Sequence, residues 1–421
     1  MYNKTESAFF DLIALADRER VQSAVIAWLL SSKSKALTQE ARIHAINGLF
    51  GCNIDCKKIE DITIEPYLEW KNIDIILVVK ENSIIKSVLV VENKIKCGLH
   101  DNQLQRYEEQ IKKRNIIKWQ KCKDTEDYLL VETNEVNPHF SENTSFIYLT
   151  LLKQEDQGSW SNVTYERLYE VFENALSESQ SDNSSYADFI IAKSYCMTLR
   201  ELVDIANSSL SNPELIFDND KHPYIKEHKL RHILQHYYFT KVKNEIEDNI
   251  KTHVKGHDCS MRVENGIHSD NAEFALDITQ GEMVDKYLSF DDGKKGSFCI
   301  SYQFPTFKIA IAKGYNDDNY IDNLKLLNER KLARIVGVDK NTIFDWYINI
   351  DNRKWRSVNC PKGNRPRMSI SIKPEDLFDA KTSEKWGIKY KELDFQEVLE
   401  IGFKECYDTL LNMMRFFHCN S

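Results

Sequence analysis

The chain has 421 residues, 29% of them charged and 42% hydrophobic, with a formal net charge of −9. That balance excludes a disordered chain and a protein that coats nucleic acid non-specifically, though a local basic groove could still bind, because binding follows the local field. No run of about 18 apolar residues occurs, which excludes a transmembrane helix, and the first residues lack a signal-peptide pattern, so a cytoplasmic protein of two domains is expected.

The predicted elements come in two blocks. Residues 17–31 read as a helix with apolar Val21, Val25, Trp28 and Leu29, and residues 36–50 as another. Residues 73–80 (IDIILVVK) and 84–93 (IIKSVLVVEN) are apolar and rich in branched side chains, with a polar turn between them, the signature of a hairpin of buried strands. A helix over 101–114, a strand over 145–152 and helices over 165–176 and 187–206 follow. This order predicts an α/β fold, a mixed sheet covered by helices. Polar stretches at 177–185 and 207–223 read as loops, and the second places the boundary between domains 1–212 and 213–421.

The second block is predicted as an α+β domain with an antiparallel sheet. A long helix over 224–249 opens it, and one over 395–417 closes it. Between them come strands near 259–265, 272–279, 285–290, 297–312, 343–350 and 367–372, and a helix near 320–335. Tyr302, Phe304, Phe307, Trp346, Tyr347 and Trp355 could stack bases, but a hydrophobic core is the preferred reading.

The chemistry concentrates in residues 73–107. Residues i and i+2 of a strand share a face, so Glu92 and Lys94 point the same way, and Asp74 on the partner strand can approach them. Two carboxylates and an ammonium on a buried sheet are costly to desolvate unless they serve a purpose. A cation with hard oxygen ligands, Mg²⁺ or Mn²⁺, satisfies them, and Lys94 could hold or deprotonate a water or stabilise charge on a phosphate. Glu-x-Lys occurs four times, at Glu69, Glu92, Glu227 and Glu329, so the pattern alone decides nothing. Only the Glu92 copy ends an apolar strand that follows a strand carrying Asp. A surface ion pair, the plain alternative, fits poorly after the sequence VLVV.

Asp74…Glu92-x-Lys94 resembles the signature of the PD-(D/E)XK nuclease superfamily, with Ile73 where the family usually has Pro. Gln103-x-x-x-Tyr107 is similar to an element that some branches carry on the next helix, where i,i+4 spacing gives both side chains one face. The segment Glu19-x-x-Gln22-Ser23 leading to Ala27-Trp28-Leu29-Leu30 is similar to the first helix of one bacterial branch, with Gln22 in place of the usual His. The strand Ile147–Thr150, then Trp160 and Tyr165, resembles that branch too, so the likeness covers roughly residues 10–205.

The resemblance implies a restriction-endonuclease-like fold and a Mg²⁺- or Mn²⁺-dependent phosphodiesterase. Asp74, Glu92 and the Asn93 backbone carbonyl would bind the cation, with Glu19 as an extra acid. Lys94 would position the attacking water, and Gln103 and Tyr107 would orient the site. Arg106 and the basic run 112–123 (Lys112, Lys113, Arg114, Lys118, Lys121 and Lys123) could contact phosphates. The expected substrate is DNA, with a role in restriction or phage defence by analogy. An RNase on the same fold, or a non-catalytic module that binds nucleic acid or a partner, are the alternatives. A homodimer and a partner protein engaged through the C-terminal domain are also expected.

Other patterns point elsewhere or nowhere. His228, His232 and His236 recur at i, i+4 and i+8, which could bring two of them to one zinc ion, but polar residues on an amphipathic helix are the preferred reading. Ten cysteines are scattered without a CxxC pair and read as reduced packing residues. No P-loop, GxGxxG or Gly-x-Ser-x-Gly element occurs, so a motor, a dinucleotide enzyme and a serine hydrolase are unsupported.

Overall fold

The computed structural model describes residues 10, 15–16, 18–82, 84–95, 102–113, 117–121, 128–132, 144–179, 186–218, 222–264, 271–281, 284, 297–312, 367–378, 380–387 and 389–419. They form two compact units, Met1–Ser211 with Pro223–Leu230, and Asn212–His222 with Arg231–Ser421. No helix among the described residues is long and apolar enough to cross a membrane.

The first unit is built on a five-stranded mixed sheet. Its strands are β1 (Ile62–Trp70), β2 (Ile73–Glu81), β3 (Ile84–Lys94), β6 (Thr144–Thr150) and β7 (Trp160–Thr164), and they lie in the order β1-β2-β3-β6-β7. The first three pair antiparallel, whereas β3–β6 and β6–β7 are parallel. Two helices precede the sheet in sequence, α1 (Glu19–Leu30) and α2 (Gln39–Phe50), while α3 (Gln103–Lys113) lies on the crossover to β6, and α4 (Tyr165–Ser179) and α5 (Tyr186–Ser211) follow β7. A separate hairpin pairs β4 (Ile117–Lys121) with β5 (Tyr128–Glu132).

β2 is buried at Ile73 and from Ile75 to Val79, and β3 from Val88 to Asn93, as the continuous apolar runs require. The α3 side of the sheet packs Ile76, Val78, Val88 and Val90 against Leu104, Tyr107 and Ile111 of the helix. α1 packs against β1, β2 and β3. The start of α2 is set by Thr38, whose hydroxyl accepts from Ala41 N, so the helix begins after the predicted residue 36.

β1 and β7 were not expected. β1 contains Pro66 and two glutamates, which suits a sheet edge and hides the strand from a pattern search. It turns into β2 through Lys71 and Asn72, both with positive φ, a two-residue loop matched to strand twist. β7 is five residues long and polar at Ser161 and Asn162.

The second unit holds an antiparallel sheet in the order β12-β11-β10-β9-β8, made of β8 (His257–Glu264), β9 (Glu273–Gly281), β10 (Ser297–Gln303), β11 (Thr306–Ala312) and β12 (Arg367–Ile372). The expected single strand over 297–312 is therefore two, joined by a turn at Phe304-Pro305. α6 (Glu214–Phe217), α8 (Arg231–His253), α9 (Pro374–Leu377), α10 (Ala380–Trp386) and α11 (Phe395–Cys419) complete the unit. α8 packs on β8, and α11 packs on β10 and β11. The rings of Phe239 and Phe274 stack 5.1 Å apart and Tyr302 and Phe307 are buried, so these aromatics form core. Phe304 is half-buried, its ring 5.8 Å from Phe217. Trp346, Tyr347 and Trp355, the predicted strands at 285–290 and 343–350 and the helix near 320–335 lie outside the described residues.

The predicted helix over 224–249 is broken. A short α7 (Pro223–Glu227) ends where Lys229 takes φ +50°, with Lys229 N donating to Lys226 O and Leu230 N to Ile225 O. That pairing is a left-handed C-terminal cap carried by a lysine instead of glycine. His228 therefore does not share a helix with His232 and His236, and the expected i, i+4, i+8 row does not form. His228 is buried, with its ring 4.2 Å from Tyr224.

Candidate active site

The β2–β3 ladder runs to Ile75↔Val91. Asp74 and Glu92 lie one step beyond it, where the two strands separate. Alternation puts Val88, Val90, Glu92 and Lys94 on the α3 side of the sheet and Asn93 on the other. Glu92 and Asn93 are each 1% exposed, so both need partners.

Glu92 Oε1 has two. Lys94 Nζ lies 3.0 Å away and Gln103 Nε2 donates to it at 2.7 Å. Gln103 Nε2 also donates to Tyr107 OH at 2.9 Å, and Tyr107 OH donates to Asn72 O at 2.7 Å in the β1–β2 turn. The i,i+4 pair on α3 thus reaches the sheet end as expected, with Leu104 and Ile111 completing the inward face and Arg106 exposed on the other. Glu92 Oε2 is buried and has no hydrogen-bond partner.

Asp74 Oδ2 accepts from Asn93 N at 2.7 Å. Glu19, at the start of α1, accepts from Ile95 N through Oε1 at 2.8 Å, and its charge acts on both Asp74 and Lys94. Burial, followed by the charge of Asp74, pushes the Glu92 carboxyl up to about 7 against the pull of Lys94. Burial likewise raises Asp74. Burial works to lower Lys94, but Glu92, Glu19 and Asp74 outweigh it and its ammonium is held above the ordinary lysine value.

The donor set fits a divalent cation. A buried carboxylate oxygen without a partner, beside a second carboxylate that resists its ionisation, is the chemistry a hard cation relieves. Among the described residues no group of three or more His, Cys, Asp and Glu side chains is placed to hold a metal. Asp74 and Glu92 would be joined by the chain's carbonyls and water, and Glu19 has one oxygen committed to Ile95 N.

The other side of the sheet carries Ser23 and Tyr165, which the sequence reading did not single out for the site, and the side chain of Asn93, of which it named only the backbone carbonyl. Asn93 Nδ2 donates to Glu19 O and to Ser23 Oγ, both at 3.1 Å, and Tyr165 OH donates to Asn93 Oδ1 at 2.7 Å. Gln22, where the resemblance expects His, donates to Ala16 O instead of facing the acids. The side chains of Lys112, Lys113, Lys118 and Lys121, and all of Arg114 and Lys123, lie outside the described residues.

A model of the PD-(D/E)XK nuclease superfamily matches residues 7–197. No curated protein and no solved structure matches the chain. The matched segment spans α1, the hairpin that carries Asp74, Glu92 and Lys94, and the mixed sheet around it. Residues 7–197 belong to the PD-(D/E)XK nuclease superfamily.

Proposed function

We propose that the chain is a Mg²⁺-dependent DNA endonuclease whose reaction is carried by Asp74, Glu92 and Lys94. The observation that carries this reading is Glu92, buried with one oxygen unpartnered while Lys94 and Gln103 both engage the other. Asp74, Glu92 and the Asn93 carbonyl would hold the cation, with Glu19 beside them, and when bound it supplies positive charge to the scissile phosphate.

The protein's own residues do the rest. Lys94 is an ammonium at neutral pH, so it holds the attacking water and stabilises the charge that grows on the phosphate oxygens. The water oxygen bonds to phosphorus, the opposite P–O bond breaks, and the water's proton passes to solvent while the leaving oxygen takes another. Gln103 fixes Glu92, and Tyr107 fixes Gln103 against the Asn72 carbonyl. Arg106, exposed on the outer face of α3, would track phosphates, together with the basic run 112–123 that follows in sequence.

The second unit would choose the substrate or meet a partner protein, and a homodimer would give duplex cleavage from two single sites. The reading also places the enzyme in the cytoplasm, in restriction or phage defence. The test is cleavage of plasmid, linear and single-stranded DNA and of RNA, with Mg²⁺ against EDTA and wild type against Lys94→Ala. Cation-dependent DNA cleavage lost in the variant is the expected result. Cleavage of RNA alone overturns the DNA assignment, and cleavage that survives Lys94→Ala overturns the site.

A further inference from the structure

We propose that Asn93 and Tyr165 are positioning residues of the cation site, acting on it through the far side of the sheet. The proposal rests on the nuclease reading above. By alternation, the residue between Glu92 and Lys94 points away from both. A buried carboxamide there must find partners or cost stability, and an apolar side chain would serve packing as well.

Asn93 instead joins four residues from three other elements. Tyr165 OH, at the first residue of α4, donates to Oδ1 at 2.7 Å. Nδ2 donates to Glu19 O and Ser23 Oγ on α1, each at 3.1 Å. The main-chain N donates to Asp74 Oδ2 on β2 at 2.7 Å. Asn93 is 1% exposed and Tyr165 0%, so water replaces none of these bonds.

One residue therefore fixes two acids of the site at once. It holds Asp74 directly through the main chain, and it holds the start of α1, whose Glu19 carboxylate in turn accepts from Ile95 N at 2.8 Å. The Glu19 carbonyl, which can only accept, sets which way the Asn93 carboxamide faces: it takes Nδ2, and Oδ1 is left to accept from the Tyr165 hydroxyl. With the side chain held at three points, the peptide on which residue 93 presents its carbonyl has one orientation. Outer partners of this kind typically change cation affinity or activity by 10- to 100-fold.

The test compares wild type, Tyr165→Phe, Asn93→Ala, Ser23→Ala and Lys94→Ala in three measurements. These are Mn²⁺ binding by the EPR signal of the free ion, the Mg²⁺ dependence of cleavage, and melting in EDTA. Tyr165→Phe removes one hydroxyl and keeps the ring in the core, so it reports even if Asn93→Ala does not fold.

Tyr165→Phe is expected to weaken Mn²⁺ binding about tenfold and to raise the half-saturating Mg²⁺ by the same factor, with KM for nucleic acid unchanged at saturating Mg²⁺. Asn93→Ala is expected to do at least as much, and Ser23→Ala less. Lys94→Ala is expected to bind Mn²⁺ and fail to cleave. A Tyr165→Phe protein that melts lower yet binds Mn²⁺ as wild type does overturns the positioning role alone. A wild type that neither binds Mn²⁺ nor cleaves overturns the nuclease reading, and this proposal with it.

Discussion

Gln103 Nε2 lies 2.7 Å from Glu92 Oε1, the same oxygen that Lys94 Nζ approaches at 3.0 Å. One oxygen of the carboxylate is therefore held twice, and the other is buried without a hydrogen-bond partner. Gln103 thus orients Glu92 from outside the proposed reaction. Gln103→Ala is expected to lower kcat about 10- to 100-fold with little change in KM for nucleic acid. Gln103→Glu should be worse, because it sets a like charge against Glu92. Steady-state cleavage of the two variants checks this, and equal losses for both would mean that the added charge is irrelevant.

The pH dependence follows from Glu92, whose carboxyl burial and Asp74 push up to about 7. Without a cation the folded protein holds this proton more tightly than the unfolded chain does. The stability it contributes is complete below the ordinary glutamate value and is lost as pH rises through it toward about 7. A divalent cation must displace the same proton, so its affinity should climb with pH up to about 7 and then level off. Calorimetry of Mg²⁺ binding in buffers of different ionisation enthalpy should show about one proton released near pH 6 and none near pH 9. Binding that releases no proton near pH 6 would mean that Glu92 is already ionised.

Asp74 is the first neighbour that raises Glu92 after burial itself. Asp74→Asn keeps an oxygen to accept from Asn93 N and removes the charge. The metal-free variant is therefore expected to be more stable than wild type at pH 8, by about 1 kcal/mol, the worth of roughly one pKa unit. Cleavage should be lost. Denaturant titration in EDTA, read beside the activity assay, separates this from a structural role, in which the substitution would destabilise. A gain of stability with a loss of activity is the trade expected where charges are gathered for function.

The site was legible where local pattern decides structure. Two apolar runs marked β2 and β3, alternation put Glu92 and Lys94 together, and i,i+4 spacing put Gln103 and Tyr107 on one face. β1 was hidden because a sheet edge tolerates Pro66 and two glutamates, and β7 because five residues carry little pattern. The end of α7 was hidden because Lys229, and not glycine, takes the left-handed cap. Asn93 and Tyr165 are 72 residues apart, a distance that no local rule spans. One signal was present nonetheless: alternation sends residue 93 to the opposite face, where a buried amide must be paired.

Arg42 links the fold to the site from a distance. It is 2% exposed and has no acid partner among the described residues; Nη2 donates to Ser34 O at 2.6 Å and Leu37 O at 2.9 Å, Nε to Leu29 O at 3.4 Å, and Nη1 to Gln39. Burial lowers its pKa to about 10, so it is still charged at neutral pH. Those carbonyls end α1 and lead into α2, and α1 carries Glu19 and Ser23. Arg42→Met fills the space but leaves the carbonyls unpaired, at an expected loss of about 2–4 kcal/mol. Arg42→Lys retains one donor group and should lose less. Hydrogen exchange checks where the loss falls: faster exchange across α1 is expected, whereas a loss confined to α2 would show that Arg42 does not brace the helix that bears Glu19.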